Sequence, residues 1–154
     1  MVILNGDGVV LFRIPDGWDV IFGDRCLLVG AQLAGAQLVA AELGDADLSD
    51  ANLAGADLYW AFLIRTVFTR ADLSDACLRG AKLAYSDLRF ANLSNADLSV
   101  NAVGSRTQLH GANLAGAILN GADFSGAEYD ETTIFPDSFR PEDHGMVLSV
   151  SPWV

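Results

Sequence analysis

The chain is short of positive charge. Nine Lys and Arg stand against twenty Asp and Glu, a formal net charge of -11 over 154 residues. Phosphate-rich partners are repelled by such a balance, which argues against direct nucleic-acid binding and against adsorption to anionic membranes. Long apolar runs are also missing. The longest, Leu58 to Ile64, falls far below the roughly 18 residues that span a bilayer, although 51% of the residues are hydrophobic. These features predict one soluble domain with a real core. The N-terminus has no basic segment, and its apolar stretch breaks at Asn5, so a cytoplasmic location is expected. The two cysteines, Cys26 and Cys77, lack zinc spacing, and the two histidines, His110 and His144, have no nucleophile or metal constellation around them in the sequence. Gly-x-Ser-x-Gly, His-Glu-x-x-His and a Gly-rich phosphate loop are absent. The reading is a protein that is not an enzyme and uses no cofactor or metal.

What is present is a period of five. Central residues recur as Leu28, Leu33, Leu38, Leu43, Leu48, Leu53, Leu58, Leu63, Phe68, Leu73, Leu78, Leu83, Leu88, Leu93, Leu98 and Val103. After one extra residue, taken as Arg106, the register resumes at Leu109 and continues through Leu114, Leu119, Phe124, Tyr129 and Ile134. Two residues before nearly every centre stands a small side chain, mostly Ala. On an α-helix five residues advance about 500°, so the leucines would smear around the cylinder; on a straight strand they would alternate faces. The chain must therefore turn once per repeat. If each pentapeptide is one side of a square, the centre i and residue i−2 point inward, while i−1, i+1 and i+2 point out. Coils of 20 residues then stack about 4.8 Å apart.

Runs such as Ala46-Asp47-Leu48-Ser49-Asp50, Ala51-Asn52-Leu53-Ala54-Gly55 and Ala112-Asn113-Leu114-Ala115-Gly116 carry the A(D/N)LXX pattern. In this the chain resembles the pentapeptide repeat family over roughly residues 26 to 135. The resemblance implies an all-β, right-handed quadrilateral β-helix, a solenoid with terminal capping segments. Residues 1–25 are expected to form a β-hairpin-like cap, 26–135 the repeat β-helix, and 136–154 a C-terminal cap or tail with a short helix starting at Pro141. The apolar tail from Met146, containing Trp153, either packs back on the last coil or meets a second subunit.

Stepping by 20 puts Ala46, Thr66, Ser86, Thr107 and Ala127 in one inward column, where the hydroxyls find partners in each other or in backbone carbonyls, or merely fit an Ala slot. The break before Leu109 reads as a one-residue corner bulge with Asn101 in an inward slot. The acidic cluster Glu42, Asp45, Asp47 and Asp50 reads as a solvated face, as do the recurrent Asp residues at i−1.

Outward positions become unusual in the middle of the chain. Glycine is frequent at the i+2 corners elsewhere, but Trp60, Arg65, Arg70, Tyr85 and Phe90 hold middle corners, with Tyr59, Phe62 and Lys82 at neighbouring outward positions. Spacing by 20 sets Phe62 beside Lys82 and Arg65 beside Tyr85. These eight residues have the composition of a protein-interaction patch, covered by the chain's own termini, by a second copy in a homodimer, or by a foreign protein. The expected function is a non-catalytic interaction or scaffold protein. The alternative implied by the resemblance is an acidic DNA mimic that binds DNA gyrase or another type II topoisomerase. Residues 24 to 129 carry twelve acids and seven bases. Over a rod of roughly 26 Å that is about 0.2 net charges per Å, against about 0.6 for duplex DNA, which weakens the mimic.

Overall fold

The computed structural model describes the backbone of residues 2–4 and 10–13 and all of residues 27–149. The fold is a right-handed quadrilateral β-helix. Four columns of parallel bridges define its faces. Face 1 carries Leu27, Asp47, Val67, Asp87, Asn113 and Ile134, and face 2 carries Gln32, Asn52, Asp72, Asn92 and Ile118. Face 3 carries Gln37, Asp57, Cys77, Asp97 and Asp123, and face 4 carries Glu42, Phe62, Lys82, Gln108 and Glu128.

One repeat shows why five residues suffice for a side. In Ala51–Gly55, the N–H of Asn52 donates to Ala31 O of the coil before, while those of Leu53 and Gly55 donate to Asp72 O and Ser74 O of the coil after. The Ala51 N–H closes the corner on Leu48 O at 3.1 Å. Only the Ala54 N–H is left over, and it donates to the Asn52 side chain at 3.1 Å. The Asp and Asn residues at i−1 are thus acceptors for the i+1 amide of their own repeat, a role beyond the solvation expected for them. All nine on faces 1 to 3 do this: Asp47, Asn52, Asp57, Asp72, Asp87, Asn92, Asp97, Asn113 and Asp123.

Leu at i and Ala at i−2 fill the interior, with Phe68 and Phe124 as its largest fully buried side chains. Each corner has the arrangement of a type II turn, whose i+2 residue takes positive φ, and Gly fits there without strain. Ten non-glycine residues nevertheless occupy left-handed corners, among them Trp60, Arg65, Arg70, Tyr85 and Phe90 at φ between 57° and 59°.

The break in register is larger than the sequence indicates. Lys82 pairs with Gln108, and Asp87, Asn92 and Asp97 pair with Asn113, Ile118 and Asp123, a separation of 26 for the four bridges that span the break. The bridge of Cys77 with Asp97 before it and that of Gln108 with Glu128 after it keep 20, so six residues, 101–106, leave the coil as a corner loop. The buried Asn101 organises it by accepting from the N–H groups of Val103 and Ser105 at 3.1 and 2.8 Å. Val103, expected inside, is 72% exposed. The hydroxyl column is also split. Ser86 stacks on Ala112 and Thr107 on Ala81, as their hydrogen bonds through Asn113 and Gln108 show. Thr66 and Thr107 donate to the carbonyls of Leu43 and Leu78 at 2.7 and 3.0 Å, not to each other. Ser86 Oγ, also buried, has no hydrogen-bond partner among the described residues. A further residue enters between Tyr129 and Ile134, so Ile134 becomes an outward i−1 residue, 49% exposed, and Thr133 takes the inward slot.

At the C-terminal end, Phe124, Tyr129, Phe135 and Phe139 pack ring to ring with centroids 5.1 to 5.6 Å apart, and His144 stacks on Phe139 at 4.3 Å. Pro141–His144 makes one 3-10 turn with Pro in its first turn. Strand β4, Val147–Leu148, then pairs in parallel with β3, Glu128–Tyr129, and extends face 4 by one rung, so residues 146–149 lie on the last coil. Strands β1, Val2–Leu4, and β2, Val10–Arg13, pair antiparallel. The rest of the cap expected over residues 1–25, Cys26 and the tail from Val150 with Trp153 lie outside the described residues.

Two substitutions separate a satisfied hydroxyl from an orphaned one. Thr66→Val should destabilise by about 1 kcal/mol through loss of a buried hydrogen bond, whereas Ser86→Ala should be neutral or stabilising. Urea unfolding midpoints check this, and equal losses for both would contradict it.

Candidate functional site: face 4

Face 4 differs from the other three in one respect that runs its whole length. Its i−1 positions are Glu42, Phe62, Lys82, Gln108 and Glu128, without a single Asp or Asn. The backbone amides of Gly44, Ile64, Ala84 and His110 therefore all lack the side-chain acceptor that the i+1 amides of the nine Asp and Asn rungs receive. They have no acceptor among the described residues. In exchange the face carries side chains long enough to reach outward.

The middle of the face is a shallow groove of about 410 Å³, lined by Ala40, Trp60, Phe62, Gly80, Lys82, Ser105, Arg106 and Gln108. Lys82 Nζ lies over the Phe62 ring, 4.7 Å from its centroid, so Phe62 and Lys82 meet as the spacing predicts. Trp60 stands at the corner beside them and lies across Gly80; a Cβ on Gly80 would collide with the indole, and its φ is 70°. Tyr59 stacks on Trp60 at 5.6 Å from the preceding face. The 101–106 loop rises at the same corner. Its Arg106 is pinned by Gly126 O at 2.9 Å and by Glu128 at 3.4 Å, so the wall it makes with Ser105 is held from below.

The far edge is the corner Asp45, Arg65, Tyr85, Gly111, and the next corner around the rod repeats the series as Asp50, Arg70, Phe90, Gly116. Arg65 and Arg70 reach back one coil and grip Asp45 and Asp50 with paired contacts of 2.6 to 2.7 Å. Tyr85 and Phe90 reach forward instead and lie across Gly111 and Gly116. Arg65 and Tyr85 therefore diverge, contrary to the side-by-side arrangement expected from spacing. The eight predicted residues do not form one patch. Trp60, Phe62, Lys82, Arg65 and Tyr85 belong to face 4 and its edges with Tyr59 adjoining, while Arg70 and Phe90 sit one corner away, beyond face 1.

A second hollow of about 280 Å³ borders the groove, lined by Glu42, Gly44, Asp45, Phe62, Ile64 and Arg65. His110, expected to point out, is buried, because the C-terminal segment brings Ser149 Oγ to within 2.6 Å of its Nε2. Cys77 is free on face 3, and burial, helped by the neighbouring Asp57 and Asp97 charges, pushes its thiol above the ordinary value. The cluster Glu42, Asp45, Asp47 and Asp50 is divided over face 4, face 1 and two corners, with Asp45 and Asp50 taken by arginines. Among the described residues no group of three or more His, Cys, Asp or Glu could hold a metal ion, and no helix is long and apolar enough to cross a membrane.

Comparison with known proteins agrees with this geometry. The family model described as pentapeptide repeats matches residues 26–63, 46–83, 63–99 and 101–128, in eight copies. A pentapeptide repeat protein of Nostoc PCC 7120, known from a crystal structure, is 34% identical, with 70% of this chain and 84% of that one covered and a TM-score of 0.64. A pentapeptide repeat protein from the Arabidopsis thaliana thylakoid lumen is 28% identical over 75% of this chain and 70% of its own, with a TM-score of 0.47. QnrB1, a plasmid-mediated fluoroquinolone resistance protein, is 20% identical over 81% and 78%, with a TM-score of 0.49. No curated protein matches the chain.

Two outcomes follow from this geometry. Gly80→Ala should lose about 1 to 3 kcal/mol by combining a left-handed alanine with a displaced indole, seen as a lowered urea midpoint and altered tryptophan emission; an unchanged protein would contradict the packing of Trp60 on Gly80. Stability should also fall in acid. The guanidiniums of Arg70 and Arg89 hold Asp50 and Asp87 below the ordinary carboxyl value of 3.8, and Ser125 does the same for Asp123. Burial raises Asp130, but hydrogen bonds from Thr132, Gly111 and Thr133 outweigh it and lower its pKa. Carboxyls lowered by folding stabilise the native state above their unfolded pKa and lose that contribution as they protonate. The urea midpoint should be flat above about pH 5 and drop below about pH 4; a midpoint that rises on acidification would contradict the assignment.

Proposed function

We propose, from the premise that the chain belongs to the pentapeptide repeat family, that it is a non-catalytic protein-interaction scaffold whose binding surface is face 4. The observation that carries this reading is the exchange at i−1. Faces 1 to 3 give each of their Asp and Asn side chains to a backbone amide, whereas face 4 gives up that acceptor on every rung and presents Phe62, Lys82 and Gln108 instead. Surrounding residues keep these groups in place. Trp60 is held in a left-handed corner, a conformation that costs a non-glycine residue about 1 to 2 kcal/mol, and the 101–106 loop is fixed by its own hydrogen bonds. Rigid aromatic and cationic groups on a rod lose little entropy on binding, which is what an interaction hot spot requires.

DNA mimicry of the gyrase-binding kind is less well supported. Counting each corner with the face before it, face 1 has three Asp against two Arg, face 2 two Asp, and face 3 three Asp against one Arg. Face 4 with its loop has five acids against three bases. The net charge is spread almost evenly, so no side approaches the charge density of a duplex.

The scaffold reading predicts that a photo-crosslinking residue placed at position 82 yields partner adducts, from itself or a foreign protein, that one at position 52 on face 2 does not. The pair Trp60→Ala and Phe62→Ala should remove those adducts while leaving the β-helix circular dichroism intact. Equal adducts from both faces, or adducts that survive the pair, would overturn it. Gyrase supercoiling should be unaffected at micromolar protein; inhibition would favour the mimic.

A further inference from the structure

We propose that the face 4 groove takes an extended acidic peptide segment, one that carries carboxylates beside an aromatic or large apolar side chain. This rests on the reading of face 4 as the interaction surface and names the chemistry of its partner. Three independent observations point the same way.

The first is charge. Every arginine of the coils and the loop has a carboxylate within 4.0 Å: Arg65 with Asp45, Arg70 with Asp50, Arg79 with Asp97, Arg89 with Asp87, and Arg106 with Glu128. Lys82 has none among the described residues; its ammonium rests on the Phe62 ring. In a protein of net charge -11, the cation that the described coils and loop leave without a carboxylate stands in the groove.

The second is the backbone. On nine rungs of faces 1 to 3 a carboxylate or amide oxygen of Asp or Asn at i−1 meets the i+1 N–H. On face 4 that oxygen is missing, and Ile64, whose amide is vacant, lines the hollow that adjoins the groove through Phe62. A carboxylate supplied from outside would take the place of the absent Asp, accepting from the Ile64 N–H and pairing with Lys82. That rung of face 4 would then be completed in the same way as the Asp and Asn rungs of the other three faces.

The third is the apolar floor. Trp60 and Phe62 are 43% and 40% exposed although each is held by a neighbour, Trp60 by Tyr59 and Gly80 and Phe62 by Lys82. A ring or branched side chain next to the partner's carboxylate would cover them. Glu42 at one end of the face and Glu128 at the other bracket the cation, so an acidic segment is attracted to the middle and repelled from both ends.

The test is fluorescence anisotropy at low salt with the full chain and a labelled peptide of sequence Gly-Asp-Phe-Asp-Gly-Asp-Phe-Asp-Gly. The controls are the same peptide with Asn for every Asp and with Lys for every Asp. The acidic peptide should bind saturably, and the Asn and Lys versions at least about tenfold more weakly. Lys82→Glu should weaken the acidic peptide at least about tenfold. Arg70→Ala, off the face, should leave it unchanged, and circular dichroism should show both variants folded. No binding of the acidic peptide, equal binding of the Asn peptide, or binding unaffected by Lys82→Glu would overturn the proposal. Two of its failures differ in what they leave standing. If the Lys peptide or a second copy of the chain binds and Trp60→Ala abolishes it, face 4 remains the interaction surface with a different partner. If no association of any kind depends on Trp60 or Phe62, the interaction surface is wrong as well.

Discussion

Each side of this square rod has one backbone N–H too many. Four of the five amides in a repeat find carbonyls, two across to neighbouring coils on one side, one on the other, and one across the corner; the amide at i+1 points outward with no carbonyl to meet it. The motif follows from that surplus. Asp or Asn at i−1 is the residue whose short side chain reaches the i+1 amide, as nine of them do here. A longer or apolar residue at i−1 leaves the amide open and frees the outward side chain for other contacts. Faces 1 to 3 mix closed rungs with open ones such as those of Val67 and Ile118, and face 4 is the face left open on every rung.

The interior makes this arrangement possible. A coil only as wide as a facing Leu and Ala has no room to shift, so the corners are fixed and even aromatic residues are held in left-handed conformations. Corner side chains then have two directions to go. Arginine reaches back to an Asp of the previous coil, and an aromatic ring reaches forward over a Gly of the next, as the two parallel series Asp45, Arg65, Tyr85, Gly111 and Asp50, Arg70, Phe90, Gly116 show. The arginines are spent on self-pairing in this way, which leaves Lys82 as the groove's unpaired charge.

Much of the fold was legible in the sequence because the period of five is incompatible with helix and flat strand. The inward columns, the glycine-rich corners and the meeting of Phe62 with Lys82 all follow from it. The errors of register share one physical origin: position read from a repeat is known only modulo five. A six-residue loop and a one-residue bulge shift the pattern identically, so Val103 fell by coincidence on a centre, Thr107 was assigned to the column of Ser86, and the wall that Ser105 and Arg106 make for the groove was missed. Ile134 moved outward for a similar reason, an extra residue after Tyr129. The burial of His110 depends on Ser149, 39 residues away, and no local pattern announces it. The role of Asp at i−1 was visible as a preference but not as a hydrogen bond, because its partner is a backbone group that every residue has. Once that partner is known, the site can be found in the sequence: it is the face whose i−1 column, stepped by 20 and corrected for the loop, contains neither Asp nor Asn.

The central claim is that face 4 leaves all its i+1 amides open where Asp and Asn close nine of those on the other faces, and residue-resolved amide hydrogen exchange measures it directly. The i+1 amides of Gly44 and Ile64 should exchange at least about tenfold faster than those of Ser49, Ala54 and Tyr59, while the ladder amides of Leu43, Leu63, Leu53 and Leu58 stay protected alike. Equal protection of Gly44 and Ile64 with Ser49, Ala54 and Tyr59 would contradict the account.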